Sequence, residues 1–310
     1  MTKVTIVGAG NVGATCANVL AHKDIVKHVV LLDIAGDLAK GKALDTWQQA
    51  PIDSYSTSLM GTSDYADTAN SDIVVITAGV PRKPGMTRDD LVATNAKIVA
   101  SVVENIIKFS KNPIIIVVSN PLDVMTYAAV KKSGLKSTRV FGMAGILDTA
   151  RYRAFLATEL NVSPKDIQAI LMGGHGDTMV PLPRYTTVAG IPVTELIDKD
   201  KLDAIIARTK DGGGELVRLM GTSAWYAPGA AAAQMVEAIV KDENRIFPCC
   251  VMLNGQYGIK DMCVGVPVKL GKKGIEKIIT LKLRKEEKEE LAKSVKAVKE
   301  IVYAYEAMNL

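Results

Sequence analysis

The chain predicts an α/β fold, a doubly wound parallel sheet followed by an α+β domain. Three observations predict it. Short apolar runs rich in β-branched residues alternate with helical patterns through the first half. A glycine-rich turn joins the first of these runs to the first helix. After about residue 145 the alternation gives way to longer helices and turn-separated strands. A chain of 310 residues exceeds the usual size of one core, and the boundary is placed between 1–144 and 145–310.

Buried parallel strands are read at 4–7, 29–32, 73–77, 114–118 and 140–143. Helices near 12–21, 38–49, 88–109 and 122–132 lie between them, and such repeated βα units imply right-handed crossovers. Thr87 and Asp90 have the spacing of a capping box, which starts the third helix at Arg88. In the second half a helix over 146–160 leads into a strand at 167–172. Helical stretches over 194–208 and 214–241 follow, with Gly212-Gly213-Gly214 as the expected break. Strands near 246–253 and 263–270 come next. Gly271-Lys272-Lys273-Gly274 reads as a turn, because its spacing from Gly265 and the lack of a following Ser or Thr exclude a P-loop. An amphipathic helix of roughly 25 residues from Arg284 closes the chain.

The balance of 48% hydrophobic and 23% charged residues is that of a globular protein, and 5% aromatics leave the core to aliphatic side chains. A net charge of +5, spread among acids, gives no argument for nucleic acid. The apolar runs are too short for a membrane span. Cys16, Cys249, Cys250 and Cys263 have no metal-ligand spacing. With Met1 leading almost directly into a strand, no signal peptide is read, and a reduced, cytoplasmic setting is expected.

Gly8-Ala9-Gly10-Asn11-Val12-Gly13 is a G-x-G-x-x-G placed between strand and helix, and Asp33 stands at the end of the second strand. Gly8 permits the tight turn, Gly10 lets a pyrophosphate reach the backbone, and Gly13 lets helix and strand pack closely. The helix N-terminus offers free N–H groups to the phosphates. Asp33 accepts from a ribose 2′-hydroxyl and repels a 2′-phosphate, which favours NAD over NADP. The arrangement is that of a Rossmann domain, and a mere glycine turn with a surface aspartate explains it less well.

His175 is one of three histidines and sits in Gly173-Gly174-His175-Gly176-Asp177. Flanking glycines remove crowding, and an imidazole with an unperturbed pKa near ~6.5 suits proton transfer. Asp148 and Arg151 are three apart on one helical face. They form either a plain intrahelical salt bridge or a pair in which Asp148 orients His175 while Arg151 grips a carboxylate. Arg153 should point elsewhere. Arg82 and Arg88 frame a loop rich in proline and glycine at the C-terminal end of a strand, where open α/β sheets bind ligands. Read alone, they are solvated loop charges.

With these pieces, and with Pro81-Arg82-Lys83-Pro84-Gly85-Met86-Thr87-Arg88, Ser119-Asn120-Pro121-Leu122-Asp123 and Leu147-Asp148-Thr149-Ala150-Arg151, the chain resembles the lactate and malate dehydrogenases over nearly its full length. The resemblance implies NAD-dependent, reversible oxidation of a 2-hydroxy acid. It makes His175 the proton donor and acceptor, paired with Asp148. Arg151 then binds the carboxylate beside the reacting carbon, Arg88 polarises the carbonyl, and Asn120 bonds substrate and seats the nicotinamide. Asn11, Val12, Thr77, Ala78, Gly79, Asn95 and Val118 are the further cofactor contacts expected with it. Met86 and Ser223 are expected to line the substrate cavity. Family lactate enzymes usually carry glutamine where this chain has Arg82, and malate enzymes carry arginine. A second substrate carboxylate in a desolvated pocket needs that cation, so (S)-malate and oxaloacetate are the expected substrates. Lactate or another 2-hydroxy acid is the nearest alternative, and a non-catalytic NAD-binding module the remotest. Family members are usually dimers or tetramers, so a homodimer or homotetramer is expected. Apolar helices near 227–240 and 14–21 are candidates either for the contacts or for the core.

Overall fold

The computed structural model describes residues 2–81 and 87–308. The first half runs β1 (Lys3–Val7), α1 (Asn11–Lys23), β2 (His28–Leu32), α2 (Gly36–Asp53), β3 (Ser58–Thr62), β4 (Ile73–Ile76), α3 (Arg88–Phe109), β5 (Ile114–Val117), α4 (Leu122–Ser133) and β6 (Val140–Gly142). The second half has α5 (Gly145–Leu160), then β7 (Ile167–Gln168), β8 (Leu171–Met172), β9 (Val180–Pro181), β10 (Thr187–Val188) and β11 (Ile191–Pro192). It ends with α6 (Lys199–Met220), α7 (Tyr226–Val240), β12 (Arg245–Asn254), β13 (Lys260–Gly271), β14 (Gly274–Ile278) and α8 (Lys285–Ala307).

The main sheet has the order β14-β13-β12-β6-β5-β4-β1-β2-β3. From β6 to β3 all neighbours are parallel, the 3-2-1-4-5-6 order of a doubly wound dinucleotide fold. Fully apolar strands such as Ile73–Ile76 and Ile114–Val117 form its centre, because helices cover both faces. The antiparallel hairpins β12–β14 continue the same sheet through the pairing of Cys250 with Gly142. The second half is therefore joined to the first by a shared sheet as well as by helix packing, and one core cluster spans both.

The five expected parallel strands are present, and so is the capping box. Thr87 Oγ1 accepts from the Asp90 N–H at 3.1 Å, and Asp90 Oδ2 accepts from the Thr87 N–H at 3.0 Å. The main differences from the sequence reading are three. Edge strand β3, with its weak pattern Ser-Leu-Met-Gly-Thr, is additional, and so is β14 beyond the 271–274 turn. The run 167–172 is two short strands in different sheets. The third difference is α6, which passes unbroken through Gly212-Gly213-Gly214. Glycine costs about 1 kcal/mol per helical position, but here side chains bridge the weak turn. Arg208 Nη2 reaches Glu215 Oε1 at 2.7 Å, and Arg218 pairs with Asp211. Leu202, Ile205 and Thr209 bury the same helix's inner face. The break comes instead at Gly221, whose φ of 70° ends the helix in the left-handed region. The apolar helices α1 and α7, which the sequence left open between core and contacts, pack on each other within the chain, with Gly229 against Thr15. Among the described residues no helix is long and apolar enough to cross a membrane.

Candidate active site

The glycine turn after β1 is built as its spacing requires. Gly8 has φ +110°, and a Cβ there would stand 2.6 Å from Thr77 Oγ1. A Cβ on Gly13 would stand 1.9 Å from the Gly8 carbonyl oxygen. Around the position of a Cβ on Gly10 there is no atom within 4 Å, so the backbone is open to a ligand there. Thr77 Oγ1 donates to the Gly8 carbonyl at 3.1 Å and props the turn from β4. Asp33 accepts from the Ala9 N–H at 2.6 Å and the Ala35 N–H at 2.9 Å, which fixes its carboxylate beside the turn.

Two cavities meet here. One, of about 510 Å³, is lined by Gly8, Asp33, Ile34, Ala78 and Ser101. The other, of about 450 Å³, is lined by Asn11, Val12, Gly13, Val118, Asn120 and Ser223. Both include Gly10, Thr77, Gly79 and Val80. A carboxylate at one end, a bare backbone in the middle and an amide at the other match the ribose, pyrophosphate and nicotinamide parts of NAD. A larger cavity of about 840 Å³, between residues 280–283 and α8, shares no residue with these and holds no His, Asp or Arg. Asn95, expected to touch the cofactor, lines the second cavity and also braces its wall. Its side chain accepts from the Val80 N–H at 2.8 Å and donates to the Asn120 carbonyl at 2.7 Å, pinning two cleft loops together.

Across the β6–α5 junction lies the ionic cluster. His175 Nδ1 and Asp148 Oδ2 are 2.8 Å apart, and Arg151 Nη1 lies 3.3 Å from Asp148 Oδ1. Asp148 is 2% exposed, His175 18% and Arg151 15%. The helical spacing of three therefore yields both expected relations at once, an intrahelical pair and an aspartate on the imidazole. Arg151 Nε has no protein partner among the described residues. A Cβ on Gly212 would stand 3.2 Å from Arg151 Cδ, so a larger residue in α6 would press on that stem. Arg153 turns away and donates to the Pro164 carbonyl at 2.7 Å.

Burial pushes the His175 pKa down, but the Asp148 charge and hydrogen bond, with the Asp123 charge, outweigh it and leave the group above its usual value. Two of the glycines beside His175, Gly173 and Gly174, also make room for a helix. A Cβ on Gly173 would meet Ser294 Oγ at 2.6 Å, and one on Gly174 would meet Val298 Cγ2 at 2.8 Å. They admit α8, and Ser294 Oγ accepts the Gly174 N–H at 2.8 Å.

Arg88 is the first residue of α3 and is exposed. Arg82 and Met86 lie outside the described residues. Sequence reasoning gave no role to Asp123, which accepts from the His175 backbone N–H at 2.9 Å. It sits in the quoted Ser119–Asp123 motif, and only the fold brings it to the histidine.

A dinucleotide cleft in a doubly wound sheet, beside a buried histidine–aspartate pair, defines a nucleotide-dependent α/β protein. Residues 2–142 match the lactate/malate dehydrogenase NAD binding domain, and residues 146–308 match the alpha/beta C-terminal domain of the same family. The chain belongs to the lactate/malate dehydrogenase family. It is 68% identical to a malate dehydrogenase of Cytophaga hutchinsonii, with 97% of this chain and 96% of that protein covered. It is 57% identical to one of Salinibacter ruber, covering 94% and 93%. The crystal structure of a Salinibacter ruber malate dehydrogenase superposes with a TM-score of 0.96 at 52% identity, covering 99% of both chains. A Cryptosporidium parvum lactate dehydrogenase, solved with lactic acid and NAD, gives 0.93 at 37% identity over 97% of both.

Replacing Gly13 with alanine should drive Cβ into the Gly8 carbonyl and deform the phosphate turn. NADH affinity, read by fluorescence titration, should fall at least ~10-fold, an expected loss of about 1.4 kcal/mol or more.

Proposed function

We propose that this chain is an NAD-dependent malate dehydrogenase that interconverts (S)-malate and oxaloacetate. The observation that carries the chemistry is the buried cluster in which one Asp148 carboxylate faces both His175 and Arg151. NAD, when bound, accepts or supplies a hydride at its nicotinamide. The chain's own residues handle the proton and the charges. A carboxylate flanked by Arg151 accepts hydrogen bonds, so His175 Nδ1 carries the hydrogen toward Asp148 and Nε2 is left for substrate. During oxidation neutral His175 takes the malate hydroxyl proton. During reduction its imidazolium gives that proton to the carbonyl oxygen of oxaloacetate. Asp148 stabilises the imidazolium, and Arg151 binds the carboxylate next to the reacting carbon. Arg88 polarises the carbonyl.

The preference for malate over lactate rests on Arg82 and on the identity to malate dehydrogenases. A second carboxylate left without a cation in such a pocket costs roughly 3–5 kcal/mol. The backbone does not favour either substrate, since both classes of neighbour superpose closely. We also propose a cytoplasmic homodimer or homotetramer whose halves divide near residue 144. Leu38, Leu44 and Trp47, exposed on α2, support contact between copies.

Arg82→Gln should cut kcat/KM for oxaloacetate by two orders of magnitude or more (~3 kcal/mol,) and leave pyruvate reduction equal or faster. An unchanged ratio of the two substrates in a coupled NADH assay removes Arg82 from specificity. His175→Asn should bind NADH normally and lose at least ~100-fold in turnover. The raised His175 pKa also sets a pH dependence. The imidazolium persists above pH ~6.5, so kcat/KM for oxaloacetate reduction should hold there and fall as pH climbs through the raised value. Malate oxidation should rise over the same interval. Profiles with both midpoints below ~6.5 contradict this sign.

A further inference from the structure

Asp123 is a buried carboxylate to which the proposed chemistry gives no task. It is the second residue of α4 and is 8% exposed. Both its oxygens are used. Oδ2 accepts from the His175 backbone N–H at 2.9 Å, and Oδ1 accepts from the Cys250 thiol of β12 at 3.2 Å. Burial, with the neighbouring Cys263 and Asp123, holds that thiol well above its usual range, so it remains a donor. No lysine or arginine pairs with Asp123 among the described residues. The charged and titratable groups around it are His175 on its own loop, Asp148 on α5, Cys250 on β12 and, through Cys250, Cys263 on β13. Arg151 acts on His175 from α5.

We propose that Asp123 is a positioning residue for proton transfer: its carboxylate clamps the His175 backbone to α4 and, together with Asp148, supplies the negative charge that stabilises the imidazolium. The inference rests on the acid/base reading of His175. Two consequences follow from the geometry. Asn120 lies three residues before Asp123, so one turn of chain carries both a cleft amide and the anchor of the histidine loop. A second anion near the imidazole also makes the two groups titrate together. Burial raises Asp123 to about 6, against the lowering effects of the His175 N–H, the His175 charge and the Cys250 thiol. A proton on His175 therefore favours an ionised Asp123, and loss of that proton lets Asp123 take one up.

The chain contains only His22, His28 and His175, so ¹³Cε1-histidine NMR resolves all three, with His175→Asn assigning the third. In the native protein the His175 signal should titrate in two steps. Asp123→Asn keeps an oxygen for the His175 N–H and removes the charge. It should give a single step with a midpoint lower by roughly half a pH unit or more. The falling limb of oxaloacetate reduction should move down with it. An unmoved midpoint in folded Asp123→Asn makes Asp123 purely structural and overturns the proposal. If that variant fails to fold, Cys250→Ala takes its place. Loss of the thiol donor should move the Asp123-linked step of the His175 signal to higher pH, and a linked step that stays in place, or a native titration with one step only, overturns the proposal equally. The signal reports the ring whether or not it turns over substrate. Failure of the acid/base assignment would appear separately, as turnover surviving in His175→Asn.

Discussion

A carboxylate 2% exposed cannot stay ionised without partners, and Asp148 finds them on two different parts of the chain. One oxygen faces Arg151 a turn further along α5, and the other faces His175. The helix alone could supply the first partner. The second demands that the loop after β8 come back onto α5, which fixes where β8 and β9 lie and where α8 closes over them. The desolvation of one side chain thus places the histidine, sets its tautomer and raises its proton affinity. An exposed ion pair of the same geometry would be worth ~0–1 kcal/mol and would specify little.

Legibility in the sequence follows the range of the interactions. The glycine turn, Asp33 and the Thr87–Asp90 cap are local and were read directly, as were the apolar strands of the parallel sheet. The pairing of Asp148 with Arg151 is a matter of helical spacing, so it too was accessible, and a glycine-flanked histidine pointed to a partner. Asp123 was invisible in that sense. Fifty-two residues separate it from the amide it holds, and an aspartate near a helix start reads as an N-terminal charge. The three glycines of α6 misled because propensity is a local signal, whereas Arg208–Glu215 and Arg218–Asp211 bridge the weak turn. Only the packed structure explains why a small residue faces Arg151 there. Strand β3 was missed because it lies at the sheet edge and is only partly buried, with a glycine whose Cβ would strike the α2 backbone.

The sheet joins the two halves of the chemistry. Gly142 on β6 pairs with Cys250 on β12, and Cys250 donates to Asp123 on α4. The seam between the dinucleotide-binding half and the second half therefore runs through the residues that hold His175. This continuity explains why the close superposition on both malate and lactate dehydrogenases is uninformative about substrate. The backbone superposes on a malate and on a lactate dehydrogenase alike. What differs between three- and four-carbon acids is the far end of the substrate.

The segment after β4, to which the proposed reading gives specificity, has its anchor points on either side of it. Asn95 pins Val80 before the segment and the Asn120 loop beside it, and the Thr87 capping box holds the start of α3 after it. In that reading a charge in the segment answers to the anion it meets, because a desolvated dianion bound at one carboxylate still lacks a partner at the other. The histidine cluster and the loop arginine therefore answer to different constraints. The first is set by burial inside the protein, and the second by the charge of the molecule that enters it.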